Sequence, residues 1–110
     1  MRYVYSCAVE RVIDGDTCVL QIDLGFEVSK RVTVRLFGID APEMRGDDRH
    51  RGIVARDALA SKIMDVPIMV ETKKDAKGKF GRYLATLFDE SGADVNEWMV
   101  KSGHARRYQI

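Results

Sequence analysis

Four acidic residues attract attention because they lie at two points where the chain is predicted to turn. Asp14 and Asp16 flank a glycine after the first apolar segment, and Asp40 and Glu43 flank Ala41-Pro42 after a later one. If the strands that carry these turns pair, Asp16, Asp40 and Glu43 meet at one rim of a sheet. Converging carboxylates repel one another unless a cation neutralises them or one of them is protonated. Oxygen ligands of this kind suit Ca²⁺ or Mg²⁺, whereas the two histidines lack the spacing of a zinc site.

Two arginines accompany these acids. Arg35 lies shortly before Asp40 on the polar face of a predicted strand, and Arg82 follows a loop that contains Lys79 and Phe80. Two guanidinium groups beside a metal-bound carboxylate cluster are suited to phosphodiester hydrolysis. Metal and arginines neutralise the phosphate and the charge that grows in the transition state, while a carboxylate orients or deprotonates water. From spacing alone, a second interpretation stays open: solvated carboxylates in turns and two surface arginines.

Length and composition limit the classes of protein that the chain can belong to. A chain of 110 residues is expected to form a single domain, 1–110, with one core and no need of disulfides. The two cysteines, Cys7 and Cys18, are interpreted as buried thiols. A net charge of +1, from 18 basic and 17 acidic residues, excludes a polycation that binds nucleic acid by bulk attraction.

The hydropathy pattern contains no membrane span and no secretory signal. No apolar run reaches the roughly 20 residues that cross a bilayer. The first ten residues lack a basic stretch followed by a long apolar core. The chain as given is therefore expected to be cytoplasmic and away from membranes, with secretion after removal of a signal left open.

Alternating and helical periodicities predict five strands and two helices. Ala55, Leu59 and Ile63 fall four residues apart on one helix face, and Asp94 with Glu97 resembles an N-terminal cap. The predicted strands are Tyr3–Ile13, 18–24, Lys30–Ile39, 68–72 and Arg82–Phe88, and the helices are Ile53–Met64 and a segment from Asp94 to Gly103. Three strands, a helix, two strands and a helix form the pattern of a mainly β, OB-type barrel, with an open α+β sheet as the alternative.

Three segments resemble the staphylococcal nuclease (thermonuclease) family, and they occur in the family's order and at its separations. They are Val12-Ile13-Asp14-Gly15-Asp16-Thr17, Arg35-Leu36-Phe37-Gly38-Ile39-Asp40-Ala41-Pro42-Glu43 and Lys79-Phe80-Gly81-Arg82. The resemblance covers roughly residues 9–108. It implies a five-stranded OB-fold barrel with one helix between the third and fourth strands and one after the fifth.

The resemblance also implies an activity: a Ca²⁺-dependent endonuclease, with Mg²⁺ the less favoured metal. It would cleave DNA and RNA with little sequence preference, act as a monomer on single-stranded or locally unpaired strands, and leave 3′-phosphate ends. Asp16, Asp40 and the backbone carbonyl of Ala41 would bind the metal, and Asp14 would act through water. Glu43 would be the general base, and Arg35 and Arg82 would hold the phosphate. Further substrate contacts would come from Lys79, Phe80 and Tyr108.

Some positions depart from the family pattern. Ala41 stands where better-known members have threonine, and Phe80 replaces a tyrosine. Those members also continue into a third helix, which this chain is expected to lack. The alternative function is a non-catalytic OB-type module that binds nucleic acid or a partner, but retention of Glu43 and both arginines favours the nuclease. A small-ligand or carbohydrate barrel has only fold analogy behind it. Two basic segments, 73–82 and 101–107, are candidates for contact with a nucleic-acid backbone.

Overall fold

Five strands close into a barrel in residues 2–74 and 83–108, the parts of the chain that the computed structural model describes. In chain order the elements are β1 (Tyr3–Asp14), β2 (Thr17–Asp23), β3 (Ser29–Leu36), β4 (Ile39–Asp40), a 3-10 turn (Gly46–Asp48), α1 (Arg49–Ile63), β5 (Ile68–Lys74), β6 (Tyr83–Phe88), α2 (Val95–Lys101) and β7 (Arg106–Arg107). The barrel order is β1-β2-β3-β6-β5, and β5 pairs with β1 to close it. The β3–β6 pair is parallel and the other pairs are antiparallel. The predicted barrel is confirmed, and the open-sheet alternative is wrong because the barrel closes.

The core lies inside the barrel and beneath the two helices. Its largest fully buried side chains come from four barrel strands and both helices: Leu20, Val34, Leu36, Val70, Leu87, Leu59, Ile63, Val95 and Met99. Burial of one such aliphatic side chain stabilises the fold by roughly 1.5–3 kcal/mol. The apolar face predicted for the first helix is confirmed, since Ala55, Leu59 and Ile63 are all buried.

Two predicted boundaries are wrong by three or more residues, for local reasons. Helix α1 begins at Arg49 instead of Ile53, because its first turn is polar and exposed and continues directly from the 3-10 turn. Strand β3 ends at Leu36 instead of continuing to Ile39. Gly38, at φ 80°, turns the chain there, and the next two residues form β4, which pairs with β7. A fifth strand starting at Arg82 can be compared only from Tyr83, since Arg82 lies outside the described residues.

Neither cysteine forms a disulfide. Cys18 is buried as predicted, and Cys7 is only half-buried. Burial raises the pKa of the Cys18 thiol to about 12 and that of Cys7 to about 11, so both are protonated at neutral pH. Neither helix in residues 2–74 and 83–108 is long and apolar enough to cross a membrane.

Helix α2 is attached to the barrel by one buried amide. Asn96 donates two hydrogen bonds of 2.9 Å, to the carbonyl oxygens of Phe37 and Ala85, and accepts one of 3.2 Å from the backbone N–H of Leu87. The helix begins as predicted, with the Asp94 carboxylate accepting the backbone N–H of Glu97 at 2.9 Å. Because Phe37 lies between β3 and β4, Asn96 fixes α2 to the segment that leads to Asp40.

Helix α1 supports the loop after β4 through a glycine. A Cβ atom built on Gly52 would lie 2.2 Å from the backbone oxygen of Glu43 and 2.9 Å from the Cα of Met44. Only a residue without a side chain allows the helix to approach the loop backbone so closely. Gly52 therefore determines how near Glu43 lies to the body of the protein.

We expect Gly52→Ala to lower the free energy of unfolding by about 2 kcal/mol, because the added methyl group collides with backbone atoms. In an ordinary helix interior the same change raises stability by roughly 0.5–1 kcal/mol. The sign of the stability change therefore shows whether the close approach at Gly52 exists. Urea unfolding monitored by circular dichroism measures it. Ser61→Ala, at an exposed position of the same helix, is the control and should change stability by less than about 0.5 kcal/mol. A more stable Gly52→Ala variant would contradict the close approach.

Candidate active site

The turn between β1 and β2 carries the first pair of acids. Asp14 pairs with Thr17 across the hairpin, which leaves Gly15 and Asp16 as a two-residue turn. The Asp14 carboxylate accepts the backbone N–H of Asp16 at 3.0 Å. Aspartate favours turns because its side chain can accept a backbone N–H two residues along the chain. The Asp-Gly pair therefore forms the tight reversal that the sequence predicts.

Gly15 brings this turn against two other segments. A Cβ atom on Gly15 would lie 2.6 Å from the Cβ of Ala41 and 2.8 Å from the Cβ of Ala55. The turn, the loop after β4 and helix α1 thus meet at three small residues. Any larger side chain at Gly15 would separate Asp16 from the loop that carries Ala41.

Asp16 is 95% buried and is tied to both neighbouring segments. One of its carboxylate oxygens accepts the backbone N–H of Ala41 at 2.9 Å, and the other accepts the Thr17 hydroxyl at 3.0 Å. Its backbone carbonyl accepts the N–H of Leu36, at the end of β3, at 2.8 Å. Asp16 therefore links the β1–β2 turn, the end of β3 and the loop after β4.

Arg35 lies between the acids of the two turns. Its Nη1 is 3.4 Å from Asp16 Oδ2, and its Nη2 is 3.5 Å from Asp40 Oδ1 and 3.2 Å from the carbonyl oxygen of Ile39. The guanidinium also faces the Tyr108 ring, at 5.6 Å from the ring centroid. These distances are at the long end for hydrogen bonds, so the group is held between two carboxylates without being tightly fixed.

Asp40 is held from its other side by strand β7. Asp40 pairs with Arg106 in the register of β4 and β7, and Arg106 Nε and Nη2 donate to Asp40 Oδ2 at 3.1 and 3.0 Å. The next residue, Arg107, pairs with Glu97 on α2. In the basic segment 101–107, which the sequence suggests as a contact for a nucleic-acid backbone, Arg106 and Arg107 are therefore both engaged in ion pairs within the protein. Nothing in the sequence marks a pairing between positions so far apart, so Arg106 was missed as a site residue.

Glu43 lies nearby but stands apart from the acids that contact Arg35. Its side chain is 69% exposed, and its carboxylate is 3.5 Å from Arg45 Nε. Glu43 and Asp40 line the same cavity of about 510 Å³, together with Arg51, His104 and Arg106. Of the three acids predicted to meet, Asp16 and Asp40 therefore both contact Arg35, whereas Glu43 lies on the wall of the adjoining cavity.

Three predicted site residues lie outside the described part of the chain: Lys79, Phe80 and Arg82. Tyr108 is described and contacts Arg35. The predicted site residues that the structure brings together are therefore Asp14, Asp16, Arg35, Asp40, Ala41 and Tyr108.

Burial makes Asp16 the electrostatically most perturbed acid of this group. Removal from water raises the pKa of its carboxyl group, and the neighbouring Asp14 raises it further. The Ala41 N–H and the Arg35 guanidinium act in the opposite direction but do not compensate. The ionised form of Asp16 is therefore only partly compensated by its hydrogen bonds and by Arg35.

Within residues 2–74 and 83–108, no three His, Cys, Asp or Glu side chains are grouped so as to hold a metal. Beside Arg35, two side chains could act as oxygen ligands to a metal, the carboxylates of Asp16 and Asp40. A cation bound here would complete its coordination with a backbone oxygen or water. Ca²⁺ and Mg²⁺ accept such donors, since they take carboxylate, carbonyl and water oxygens.

Comparison with known proteins gives a family. The model of the family described as "Staphylococcal nuclease homologue" matches residues 33–110. Endonuclease YhcR of Bacillus subtilis is 31% identical over 115 residues, covering 96% of this chain. An uncharacterized endonuclease of Escherichia coli O157:H7 is 32% identical over 101 residues, covering 92% of this chain. Succinoglycan biosynthesis protein ExoI of Rhizobium meliloti is also 32% identical over 101 residues, covering 86% of this chain.

These relatives are longer than the chain. The aligned region spans 9% of the Bacillus protein, 60% of the Escherichia protein and 48% of the Rhizobium protein. The shared part is therefore one region of each relative.

We expect Asp16→Asn to be more stable than the wild type at pH 7. The folded-state pKa of Asp16 lies above its ordinary value of 3.8, so the unfolded state releases this proton at lower pH than the folded state. Wild-type stability then falls as pH rises through the interval between the two pKa values, and the loss is constant above it. A pKa difference of one corresponds to about 1.4 kcal/mol.

Thermal unfolding between pH 3 and pH 8 tests this sign. The advantage of Asp16→Asn should grow with pH from roughly the ordinary aspartate pKa of about 4 and then level off. Asp57→Asn, at an exposed position of α1, serves as control and should follow the wild type to within about 0.5 kcal/mol. An advantage that is largest at low pH would contradict the raised pKa.

Proposed function

The chain belongs to the family described as staphylococcal nuclease homologues, and on that premise we propose that it is a metal-dependent endonuclease. In this proposal it hydrolyses phosphodiester bonds of DNA and RNA with little sequence specificity and leaves 3′-phosphate ends. Ca²⁺ is the proposed cofactor, with Mg²⁺ as the alternative. The family match and two relatives named as endonucleases support the nuclease at family level.

The observation that carries the proposal is the position of Arg35 between Asp16 and Asp40. A guanidinium 3.4 Å from one carboxylate and 3.5 Å from the other marks a point where two acids from different turns face one positive charge. Isolated carboxylates in solvated turns have no reason to meet in this way. The arrangement favours a site for a cation and an anionic substrate over the surface interpretation left open by spacing alone.

Asp16 and Asp40 are the side chains that would hold the cation, together with the Ala41 carbonyl, and Asp14 would act through water. The donor chemistry fits, because every donor in this set is an oxygen. The raised pKa of Asp16 agrees with a site that lacks positive charge when metal-free. A divalent cation bound there would neutralise the phosphate and the negative charge that develops on its oxygens.

Arg35 would bind the scissile phosphate. Its side chain is 22% exposed, and its contacts to Asp16 and Asp40 are long, so it can turn toward a phosphate without leaving its place on β3. A guanidinium can donate two parallel hydrogen bonds to phosphate oxygens, which stabilises the transition state as charge increases. Arg82 would be the second phosphate ligand, as the family resemblance implies.

Glu43 would orient or deprotonate the attacking water. Its exposed carboxylate lies on the cavity that Asp40 also lines, so water has access to both. Attack of this water on phosphorus with release of the 5′ oxygen leaves a 3′-phosphate and a 5′-hydroxyl. The leaving 5′ oxygen takes up a proton from solvent water, and the proton taken by Glu43 returns to solvent through the open cavity, so the two protons balance.

A second cavity offers a surface for the nucleic-acid strand. It measures about 640 Å³ and is lined in part by Tyr3, Phe37, Lys73 and Leu84. Leu84 is the register partner of both Arg35 and Lys73, so the cavity begins one strand away from the proposed phosphate ligand. The Lys73 Nζ lies 4.2 Å from the centroid of the Phe37 ring. Aromatic rings beside cations suit unpaired bases and phosphates, which agrees with single-stranded or locally unpaired substrates.

We expect Glu43→Gln to lower the rate of Ca²⁺-dependent cleavage by about a hundredfold or more, since it removes the base and keeps the shape. Cleavage of single-stranded DNA, plasmid and RNA is followed on gels, with Ca²⁺, with Mg²⁺ and with chelator. Glu90→Gln, at an exposed position on the turn after β6, is the matched control and should retain the wild-type rate.

The same assay separates the alternatives. Wild-type protein that binds single-stranded DNA but does not cleave it with either metal would favour a non-catalytic binding module. Cleavage with Mg²⁺ alone would change the cofactor and keep the class. Equal rates for Glu43→Gln and the wild type would overturn the role of Glu43.

A further inference from the structure

Arg106 contacts only one of the two oxygens of Asp40. Its Nε and Nη2 both donate to Oδ2, at 3.1 and 3.0 Å, whereas Oδ1 faces Arg35. Oδ1 is thus the oxygen on the side of Asp16. The two oxygens of this carboxylate have separate environments, one turned to the strand β7 and one to the proposed site.

Strand β7 is itself held firmly behind Asp40. The backbone of β7 pairs with β4, and the N–H of Tyr108 donates to the carbonyl of Gly38 at 2.9 Å. Arg107, whose side chain pairs with Glu97, attaches the same strand to α2. Arg106 therefore projects from a fixed backbone, even though its own side chain is 78% exposed.

We propose that Arg106 is a positioning residue that orients Asp40 so that Oδ1 is presented to the cation. This inference rests on the proposed function, because it concerns the same metal site. A hydrogen-bond donor on the far oxygen of a ligating carboxylate fixes the rotamer of that carboxylate and preserves the near oxygen for the metal. Loss of such a partner typically weakens metal binding by about 10–100-fold.

Charge alone predicts the opposite effect. Arg106 adds a positive charge close to a cation site, so its removal would tighten cation binding if Coulomb repulsion dominated. Arg106 is largely exposed, however, and solvent weakens repulsion between exposed charges. Orientation should therefore dominate, and the sign of the change in affinity discriminates between the two effects.

The experiment measures Ca²⁺ binding by isothermal titration calorimetry, in the absence of nucleic acid, for the wild type and three variants. Arg106→Ala should bind Ca²⁺ about tenfold more weakly. Arg106→Gln keeps an N–H donor without the charge, and its affinity should lie between those of Arg106→Ala and the wild type. Arg31→Ala is the matched control, since it removes the arginine of an exposed ion pair with Glu10 that has no contact with Asp40 or β7, and it should bind Ca²⁺ as the wild type does.

Each outcome has a definite meaning. Unchanged or tighter binding by Arg106→Ala would overturn the orienting role and leave the proposed function intact. The same holds if Arg106→Gln binds no better than Arg106→Ala. A wild type that binds neither Ca²⁺ nor Mg²⁺ would overturn the metal-dependent function and this inference with it. Near-ultraviolet circular dichroism and thermal unfolding without metal verify that every variant is folded.

Kinetics supply a second readout. The Ca²⁺ concentration that gives half-maximal cleavage should rise about tenfold in Arg106→Ala, while the rate at saturating Ca²⁺ stays within about twofold of the wild type. A residue that touches the substrate would instead lower the saturated rate or raise the KM for DNA. Either of those results, with Ca²⁺ affinity unchanged, would contradict the positioning role.

Discussion

The buried carboxylate of Asp16 imposes a requirement that the surrounding structure meets. An ionised group removed from water costs several kcal/mol unless hydrogen bonds and opposite charge compensate it. Asp16 obtains its partners from separate segments: the backbone N–H of Ala41, the guanidinium of Arg35 and the hydroxyl of Thr17. These segments must come together for the carboxylate to be tolerated, and the proposed site lies where they meet. Even so, the pKa of Asp16 stays raised, because these partners compensate its burial and the nearby Asp14 only in part.

Small residues allow the segments around Asp16 to pack closely together. Gly15 admits Ala41 and Ala55 on either side of the first turn, and Gly52 allows α1 to contact the backbone of Glu43. The amide of Asn96 then holds the segment between β3 and β4 by its hydrogen bond to Phe37. The barrel thus gives each acid its approximate place, and the small residues together with one buried amide determine the final distances.

The sequence predicted those parts of the fold that repeat along the chain. Strand alternation and the helical spacing of Ala55, Leu59 and Ile63 reflect burial on one face, and burial is a strong and regular signal. The sequence-based prediction was wrong or incomplete for features that leave no repeating hydropathy pattern. The exposed first turn of α1 has no apolar pattern, and a two-residue strand such as β4 is too short to show one. Arg106 was predicted only as part of a basic segment that could contact nucleic acid, because its partner, Asp40, is distant in the chain and only the β4–β7 register joins them.

The near-neutral net charge of the chain does not describe the charge at the proposed site, which is set by the acids and arginines that meet there. Arg107 is paired with Glu97, and Arg45 with Glu43, so neither arginine adds free positive charge. Among residues 2–74 and 83–108, the remaining cluster has three carboxylates, Asp14, Asp16 and Asp40, against two guanidiniums, Arg35 and Arg106, which leaves one net negative charge. A negative cluster repels a phosphodiester, and a single divalent cation would reverse its sign. In the proposed function, this reversal would make cation binding favour substrate binding as well as the chemistry, because the arginines among the described residues do not outweigh the acids.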